Sequence, residues 1–193
     1  MKNKLLLLTI CLLLFIPGCA VNDNNGGDTI PEKEEEDYGK YSHNGRIVKM
    51  DKDGFHVQND DKVELFNVNI ERTGNFYLGE YVKLNSRDGN IYDVTPDEGF
   101  DYTSVMTTGM YDEDTKLDLK VEEISRDETG TMRIYGLAAD NKEYDIVAGA
   151  ETVTNFAHSR LKVNDEISVY PENVSDGTPA VVEAKAIIKE NTD

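Results

Sequence analysis

The sequence has few of the residue types that build many catalytic and metal sites. Its 193 residues include two Cys, three His and no Trp. Two Cys exclude both a disulfide framework and a zinc site built on Cys. Lys and Arg number 20 against 38 Asp and Glu, for a formal net charge of −18. That shortage of positive charge argues against nucleic-acid binding, which depends on cations at the phosphates.

No apolar run reaches the ~20 residues of a membrane-spanning helix. The longest run, from Leu5 to Ile16, has twelve residues and follows Lys2 and Lys4. A positive start and an apolar stretch of this length are typical of a secretory signal peptide. We therefore predict that residues 1–18 are a signal peptide.

The apolar run ends at Ile16-Pro17-Gly18-Cys19, which resembles the lipobox of bacterial lipoproteins. The resemblance implies cleavage before Cys19, a diacylglyceryl group on Cys19, and anchoring to the outer face of the cell membrane, in a Gram-positive bacterium. Two acyl chains hold a protein at a membrane stably, whereas one chain holds it only marginally. The alternative is an ordinary signal peptide in which Cys19 is incidental.

Residues 19–43 show no apolar period and contain an acidic run from Glu32 to Asp37. A segment of this composition buries too little apolar surface to offset the entropy of ordering it. We predict a flexible acidic tether, and an acidic docking tail is the alternative.

From residue 44 onward the pattern predicts short β-strands separated by Gly- and Asp-containing turns. Two halves share a plan of five strands, residues 44–96 and 117–189, with residues 97–116 as a linker. In this alignment Ile47 corresponds to Ile124, and the turn at Leu78-Gly79-Glu80 corresponds to Val163-Asn164-Asp165. A strand is conceivable over residues 100–105, and a short helix over residues 151–158.

Five short strands with a bulged first strand predict an all-β fold of two tandem small OB-like antiparallel barrels. An antiparallel meander or one larger sandwich gives nearly the same sequence pattern, so both stay open. The turn and strand from Leu161, followed by Pro179-Ala180 and a closing strand to Ile188, resemble the YobA-like small secreted β-barrel lipoproteins. That family has no assigned activity, so the resemblance implies fold and location only.

The sequence offers no convincing reaction centre. His43, His56 and His158 show no metal-binding spacing, and we expect each to be a polar surface residue. Two segments with alternating acids, at Asp51 and Asp112, lack the ligand pattern of a calcium loop and are expected to be turns. We therefore expect no enzyme activity, no cofactor and no metal.

A binding module remains the leading hypothesis for the function. An acidic body anchored at the outer membrane face favours a cationic peptide or protein as partner, because its field attracts positive charge. The alternative is a structural envelope accessory or spacer without a small ligand.

Overall fold

A computed structural model describes residues 42–68, 75–87, 91–106 and 111–190. The prediction of an all-β fold is confirmed, since eleven strands and two short 3₁₀ helices make up the regular structure of these residues. The predicted signal peptide, Cys19 and nearly all of the tether lie outside the described residues. The first strand begins at Ser42, so His43 belongs to it.

The first sheet contains five strands, in the order β3-β2-β1-β4-β5. Their bounds are β1 Ser42–Asp51, β2 Gly54–Asn59, β3 Lys62–Phe66, β4 Tyr81–Ser86 and β5 Tyr92–Pro96. All four pairings within this sheet are antiparallel. A single parallel bridge between Val68 and Tyr92 links the segment after β3 to β5. A bulge interrupts β1 between Ile47 and Lys49, as the sequence predicts for a strand that must bend.

The second sheet contains six strands, in the order β10-β6-β7-β8-β11-β9. Their bounds are β6 Leu117–Arg126, β7 Met132–Ala138, β8 Glu143–Ala148, β9 Val153–Thr154, β10 Glu166–Val174 and β11 Ala180–Lys189. Because β10 also pairs with β11, the strands β6, β7, β8, β11 and β10 close into a five-stranded barrel. The β8–β11 pairing is parallel and the other pairings around this barrel are antiparallel.

Turn chemistry explains where the strands end. Gly54 opens β2 with φ +137°, and a Cβ there would lie 2.0 Å from the Phe66 carbonyl oxygen. Only glycine combines that backbone conformation with that close approach. The Asp51 carboxylate accepts a hydrogen bond from the Asp53 N–H, and the Asp112 carboxylate accepts one from Asp114. Both acidic segments are therefore turns, as predicted.

Alternating side chains fill two hydrophobic clusters, one for each sheet. Strand β7 shows the pattern clearly, because Met132, Ile134 and Gly136 are buried while the residues between them are partly exposed. This period of two is that of a strand with one face on a core. The first cluster centres on Ile47, Val82 and Leu84, and the second on Val121, Ile146 and Ile187; all six side chains are fully buried.

Hydrogen bonds and apolar packing join the two sheets. The Leu78 N–H donates to the Gly130 carbonyl at 2.9 Å, and the Arg126 guanidinium donates to the Phe76 carbonyl at 2.8 Å. Tyr77, from the first half, packs against the core of the second sheet, and Ala150, from the second half, packs against the core of the first. All described residues fall within one structural unit.

Two local predictions are wrong. Residues 151–158 do not form a helix: they contain β9, and the 3₁₀ helix His158–Arg160 follows. The Thr152 hydroxyl donates to the Ala184 carbonyl and the Thr154 hydroxyl to the Phe156 carbonyl. β-branched residues that bond to other backbone in this way favour extended chain over helix.

Residues 100–105 likewise do not form a strand. They contain the 3₁₀ helix Tyr102–Val105, whose start is capped by the Asp101 carboxylate. That carboxylate accepts hydrogen bonds from the backbone N–H and the hydroxyl of Thr103. An Asp that bonds two residues ahead turns the chain, and here this local turn overrides the strand propensity of the neighbouring residues.

Candidate functional site

The first sheet carries a cavity of about 450 Å³, here called the β3 cavity. Its lining comes from the beginning of β1, the end of β2, the β2–β3 turn and β3. The cavity wall includes Val57 and Phe66, which belong to the hydrophobic core. His43 lies beside them, with its ring centroid 4.9 Å from that of Phe66 and 5.8 Å from that of Tyr92. The apolar and aromatic wall is therefore built by strand residues with fixed neighbours.

The polar side of the β3 cavity is acidic. Asp60, Asp61 and Glu64 line it and are all exposed. Among the described residues, none of these three carboxylates takes part in an ion pair or a side-chain hydrogen bond. Of the described residues that line the cavity, Lys62 is the single Lys or Arg. By contrast, the nearby Asp51 carboxylate is paired with Lys49 at 2.9 Å. The β3 cavity thus combines an apolar wall with a local excess of negative charge.

A second cavity of about 460 Å³ adjoins the first and shares Asn44, Asn59 and Asp60 with it. It extends along β1 and β4 to Tyr81, whose ring stacks on that of Phe100 with centroids 3.4 Å apart. Its positive side chain is already engaged, because Arg46 lies 3.4 Å from a Glu151 carboxylate oxygen. The second cavity thus adds amides, a further carboxylate and aromatic rings next to the β2–β3 turn.

A separate polar cluster lies buried at the junction of the two sheets. Glu80, at the beginning of β4, has no exposed surface. One carboxylate oxygen accepts hydrogen bonds from the backbone N–H and the hydroxyl of Ser159, and the other accepts one from the Tyr77 N–H. Burial raises the pKa of the Glu80 carboxyl above its ordinary value of 4.5, although these hydrogen bonds act in the opposite direction.

His158 belongs to the same junction, and the prediction that it is a surface residue is wrong. Its exposed fraction is 1%, and neither ring nitrogen makes a hydrogen bond. Burial lowers the pKa of the imidazole from 6.5 to about 4, with a weaker opposing effect from the Leu78 backbone. The ring is therefore neutral near pH 7. An isolated His is usually exposed, and no local pattern around residue 158 signals its burial at a junction between distant segments.

The other residues singled out from the sequence do not assemble into a reaction centre. His56 is partly exposed, and its Nε2 lies 3.1 Å from an Asp51 carboxylate oxygen. His43 lines the β3 cavity, and its ring is tilted against that of Phe66 and edge-to-face with that of Tyr92. Within the described residues, no group of three or more His, Cys, Asp or Glu side chains is arranged to hold a metal ion. Cys19 lies outside those residues, so its predicted lipidation stays a prediction.

Comparison with known proteins gives no family to which this chain can be assigned. No protein-family model matches the sequence, and no curated protein matches it significantly. In the part of the chain that the structure describes, no helix has the length and apolar character to span a bilayer. The geometry of the site therefore has to carry the functional argument.

Proposed function

We propose that this protein is a lipid-anchored extracytoplasmic binding module that captures a cationic peptide or protein at the β3 cavity. The observation that carries the proposal is the rim of Asp60, Asp61 and Glu64, three exposed carboxylates without an ion-pair partner among the described residues, beside the apolar wall of Val57 and Phe66. A basic side chain with an adjacent apolar group matches both parts of this surface.

The charge of the whole chain supports the same class of partner. A formal net charge of −18 produces a negative field that raises the rate of encounter with cations. At an exposed rim this attraction weakens as salt increases, because the Debye length falls from ~30 Å at 0.01 M to ~8 Å at 0.15 M ionic strength. The apolar wall adds a contribution that salt does not screen.

We also propose that the two halves are tandem OB-like barrels. The shared pairing order supports this idea. With the two-residue strand β9 left out of the count, the first strand of each half pairs with the second and the fourth, the second with the third, and the fourth with the fifth. A parallel contact between the third-strand region and the fifth strand occurs in both, as the single bridge at Val68 and as the β8–β11 ladder. Small barrels of this type present loops and strand faces as binding surfaces.

The test of the proposed function neutralises the rim. The triple variant Asp60→Asn, Asp61→Asn and Glu64→Gln should lower the affinity for a fluorescent oligolysine peptide at least fivefold at low salt. The matched control changes Glu128→Gln, Glu172→Gln and Asp176→Asn. These exposed acids lie in the second half. The control therefore lowers the net negative charge by three, as the rim variant does, but leaves the rim intact. Equal affinities of the two triple variants would contradict a local site.

Oligolysine that fails to bind the unaltered protein at low salt would reject the proposed function. That result would favour the alternative of a structural envelope accessory without a small ligand. Oligolysine that binds only at low salt, and equally well to the rim variant, would indicate diffuse attraction to the acidic surface and not a local site.

The membrane anchor has its own test. In a Gram-positive bacterium, Cys19→Ala should abolish labelling of the protein with a radioactive fatty acid. It should also move the protein from the membrane fraction to the medium, or leave it as uncleaved precursor. A Ser104→Ala variant, at an exposed hydroxyl far along the chain, serves as control. Unchanged fatty-acid labelling and membrane recovery of the Cys19→Ala protein would contradict lipid anchoring through that residue.

A further inference from the structure

Strand β3 lies at the edge of the first sheet. It pairs with β2 over its whole length, from Asn59 opposite Lys62 to Phe55 opposite Phe66. Among the described residues no strand pairs with its other side. A strand at an edge carries a row of backbone N–H and C=O groups that can accept another strand. The outer edge of β3 is therefore a backbone surface without a partner in the described structure.

The second sheet shows what a covered third strand looks like. Its counterpart, β8, pairs with β7 on one side and with β11 on the other. The β8–β11 ladder aligns four residue pairs, from Tyr144 opposite Ala180 to Val147 opposite Glu183. In the first sheet the corresponding contact is the single bridge between Val68 and Tyr92, beyond the end of β3. The same strand position is thus paired on two sides in one half and on one side in the other.

The side chains of β3 leave this edge accessible. Val63 and Leu65, which alternate along β3, are 53% and 52% exposed. Natural edge strands are protected by Pro, by bulges or by inward-pointing charges. Strand β3 has neither a Pro nor a register shift, and Lys62 at its beginning is its one cation. An exposed, regular, apolar edge of this kind is suited to docking by strand addition.

The faces of β3 specify the side chains of a docked strand. Glu64 and Phe66 lie on the face that borders the β3 cavity, whereas Val63 and Leu65 alternate with them on the other face. Side chains directly across two paired strands contact each other. A strand added beside β3 would place every second side chain near Glu64 and the β2–β3 turn acids, and the others beside Val63 and Leu65. Alternating basic and apolar residues satisfy both faces.

A second copy of this chain fits the edge poorly. Antiparallel pairing of β3 with its own copy, centred on Glu64, would place the two Glu64 carboxylates across from each other, and like charges across paired strands are destabilising. The formal charge of −18 on each chain adds to that repulsion. Charge complementarity therefore selects a basic extended peptide over a second copy.

We propose that β3 binds its partner by strand addition, and that the partner is an extended peptide segment in which basic and apolar residues alternate. This inference rests on the proposed function, because it specifies how the cationic partner is held at the β3 cavity. Backbone hydrogen bonds to β3 provide the attachment, and the carboxylates together with Val63 and Leu65 select the sequence.

The test compares two peptides on the full-length chain in a non-ionic detergent. The first is fluorescein-labelled Lys-Val-Lys-Val-Lys-Val-Lys, and the second is the same sequence methylated at every internal amide nitrogen. Methylation keeps the side chains and the charges but removes the backbone donors. Fluorescence anisotropy should give a dissociation constant at least tenfold higher for the methylated peptide. Dissociation constants within twofold of each other would overturn strand addition.

Two variants with the same charge change locate the binding edge. Leu65→Lys places a repelling charge on the outer face of β3 and should weaken binding of the unmethylated peptide at least fivefold. Val174→Lys makes the same kind of change on β10, at a residue that is 54% exposed, and should leave affinity within twofold. Equal effects of the two variants would also overturn the proposal.

The outcomes distinguish strand addition at β3 from the proposed capture of a cationic partner at the β3 cavity. If both peptides bind equally and the carboxylate rim is needed, cationic capture stands and strand addition is wrong. If the unmethylated peptide does not bind at low salt, both are wrong. A peptide-free dimer that Leu65→Lys dissociates, measured by sedimentation velocity, would assign the edge to a second copy and overturn the proposed partner.

Discussion

Replacing His158 with Leu should make the protein less sensitive to acid. The imidazole is 1% exposed and packs over Gly79, and both ring nitrogens are buried without a hydrogen-bond partner. A buried polar group without a partner is costly. Leu has a comparable volume and no polar atom, so the variant should keep the packing of the junction while it removes the only titratable group of this side chain.

The magnitude follows from the shift in pKa. Burial lowers the pKa of His158 from 6.5 to about 4. In the unfolded chain the imidazole gains its proton as pH falls through about 6.5, whereas the folded protein resists protonation until about pH 4. The unfolded state thus binds more protons in this window, and stability is lost as pH falls. At 1.36 kcal/mol per pKa unit, the loss attributable to His158 is about 3 kcal/mol.

The assay is urea unfolding at pH 7.5, 5.5 and 4.5, followed by circular dichroism or by tyrosine fluorescence, which suits a chain with ten Tyr and no Trp. The quantity to compare is the difference in unfolding free energy between wild type and His158→Leu at each pH. Taking this difference cancels the contribution of carboxylates common to both proteins. Between pH 7.5 and 4.5 it should move in favour of the variant by about 2.5 kcal/mol, because pH 4.5 still lies above the folded-state pKa.

Repacking by Leu affects the unfolding free energy at every pH, so the test is the slope with pH and not the value at pH 7.5. A His56→Leu variant, at a partly exposed imidazole on β2, should retain the acid-side loss that His158 causes. A free-energy difference between wild type and His158→Leu that stays constant from pH 7.5 to 4.5 would refute the reasoning.

Three further predictions concern the same junction. Gly79→Ala should destabilise the protein by about 2 kcal/mol or more, because φ is +85° and a Cβ would lie 2.8 Å from the His158 ring. Thermal denaturation measures the loss, and Gly149→Ala is the control because no atom lies within 4 Å of its Cβ. Ser159→Ala should cost about 1–2 kcal/mol in urea unfolding, because Glu80 loses a hydroxyl donor. Burial raises the pKa of Glu80, so its contribution to stability is full below about pH 4.5 and declines as pH rises through the higher folded-state pKa. Glu80→Gln should abolish that decline, which urea unfolding between pH 4.5 and 8 would measure.

The sequence was sufficient for the strands and most turns but not for the register between the halves. Side-chain type pairs Ile47 with Ile124, yet the structure places Val121 at the position of Ile47. Both lie immediately before the bulge of the first strand of their half. A bulge inserts a residue and changes which side chains face the core, so an alignment by residue type alone slips at this point.

The candidate site was only partly predictable. The sequence predicts a turn over residues 59–62; Asp60 and Asp61 form that turn, whereas Asn59 ends β2 and Lys62 begins β3. No local pattern shows that a cavity opens beside the turn. The edge position of β3 is equally invisible in the sequence, because nothing in the short segments of β3 and β8 shows which of them is paired on both sides. Such features depend on contacts between distant segments, which turn and strand propensities do not encode.

The junction shows how a repeated turn gains a role in one half only. Gly79 and Asn164 both have positive φ, of 85° and 74°. Each donates its N–H at 2.8 Å to the carbonyl of the residue before the bulge, Ile47 in one half and Val121 in the other. The correspondence between these turns, predicted from Leu78-Gly79-Glu80 and Val163-Asn164-Asp165, therefore extends to their backbone bonds.

The acids that follow these two residues diverge. Asp165 bonds within its own half, where its carboxylate accepts from the Lys162 N–H at 2.8 Å and pairs with Lys189 at 2.9 Å. Glu80 instead reaches Ser159 in the other half. Its side chain is one methylene longer, and no cation pairs with it among the described residues, so the hydrogen bonds from Ser159 and Tyr77 are what compensates its burial. The same backbone turn thus closes a strand in one half, and in the other it also fastens the two sheets together.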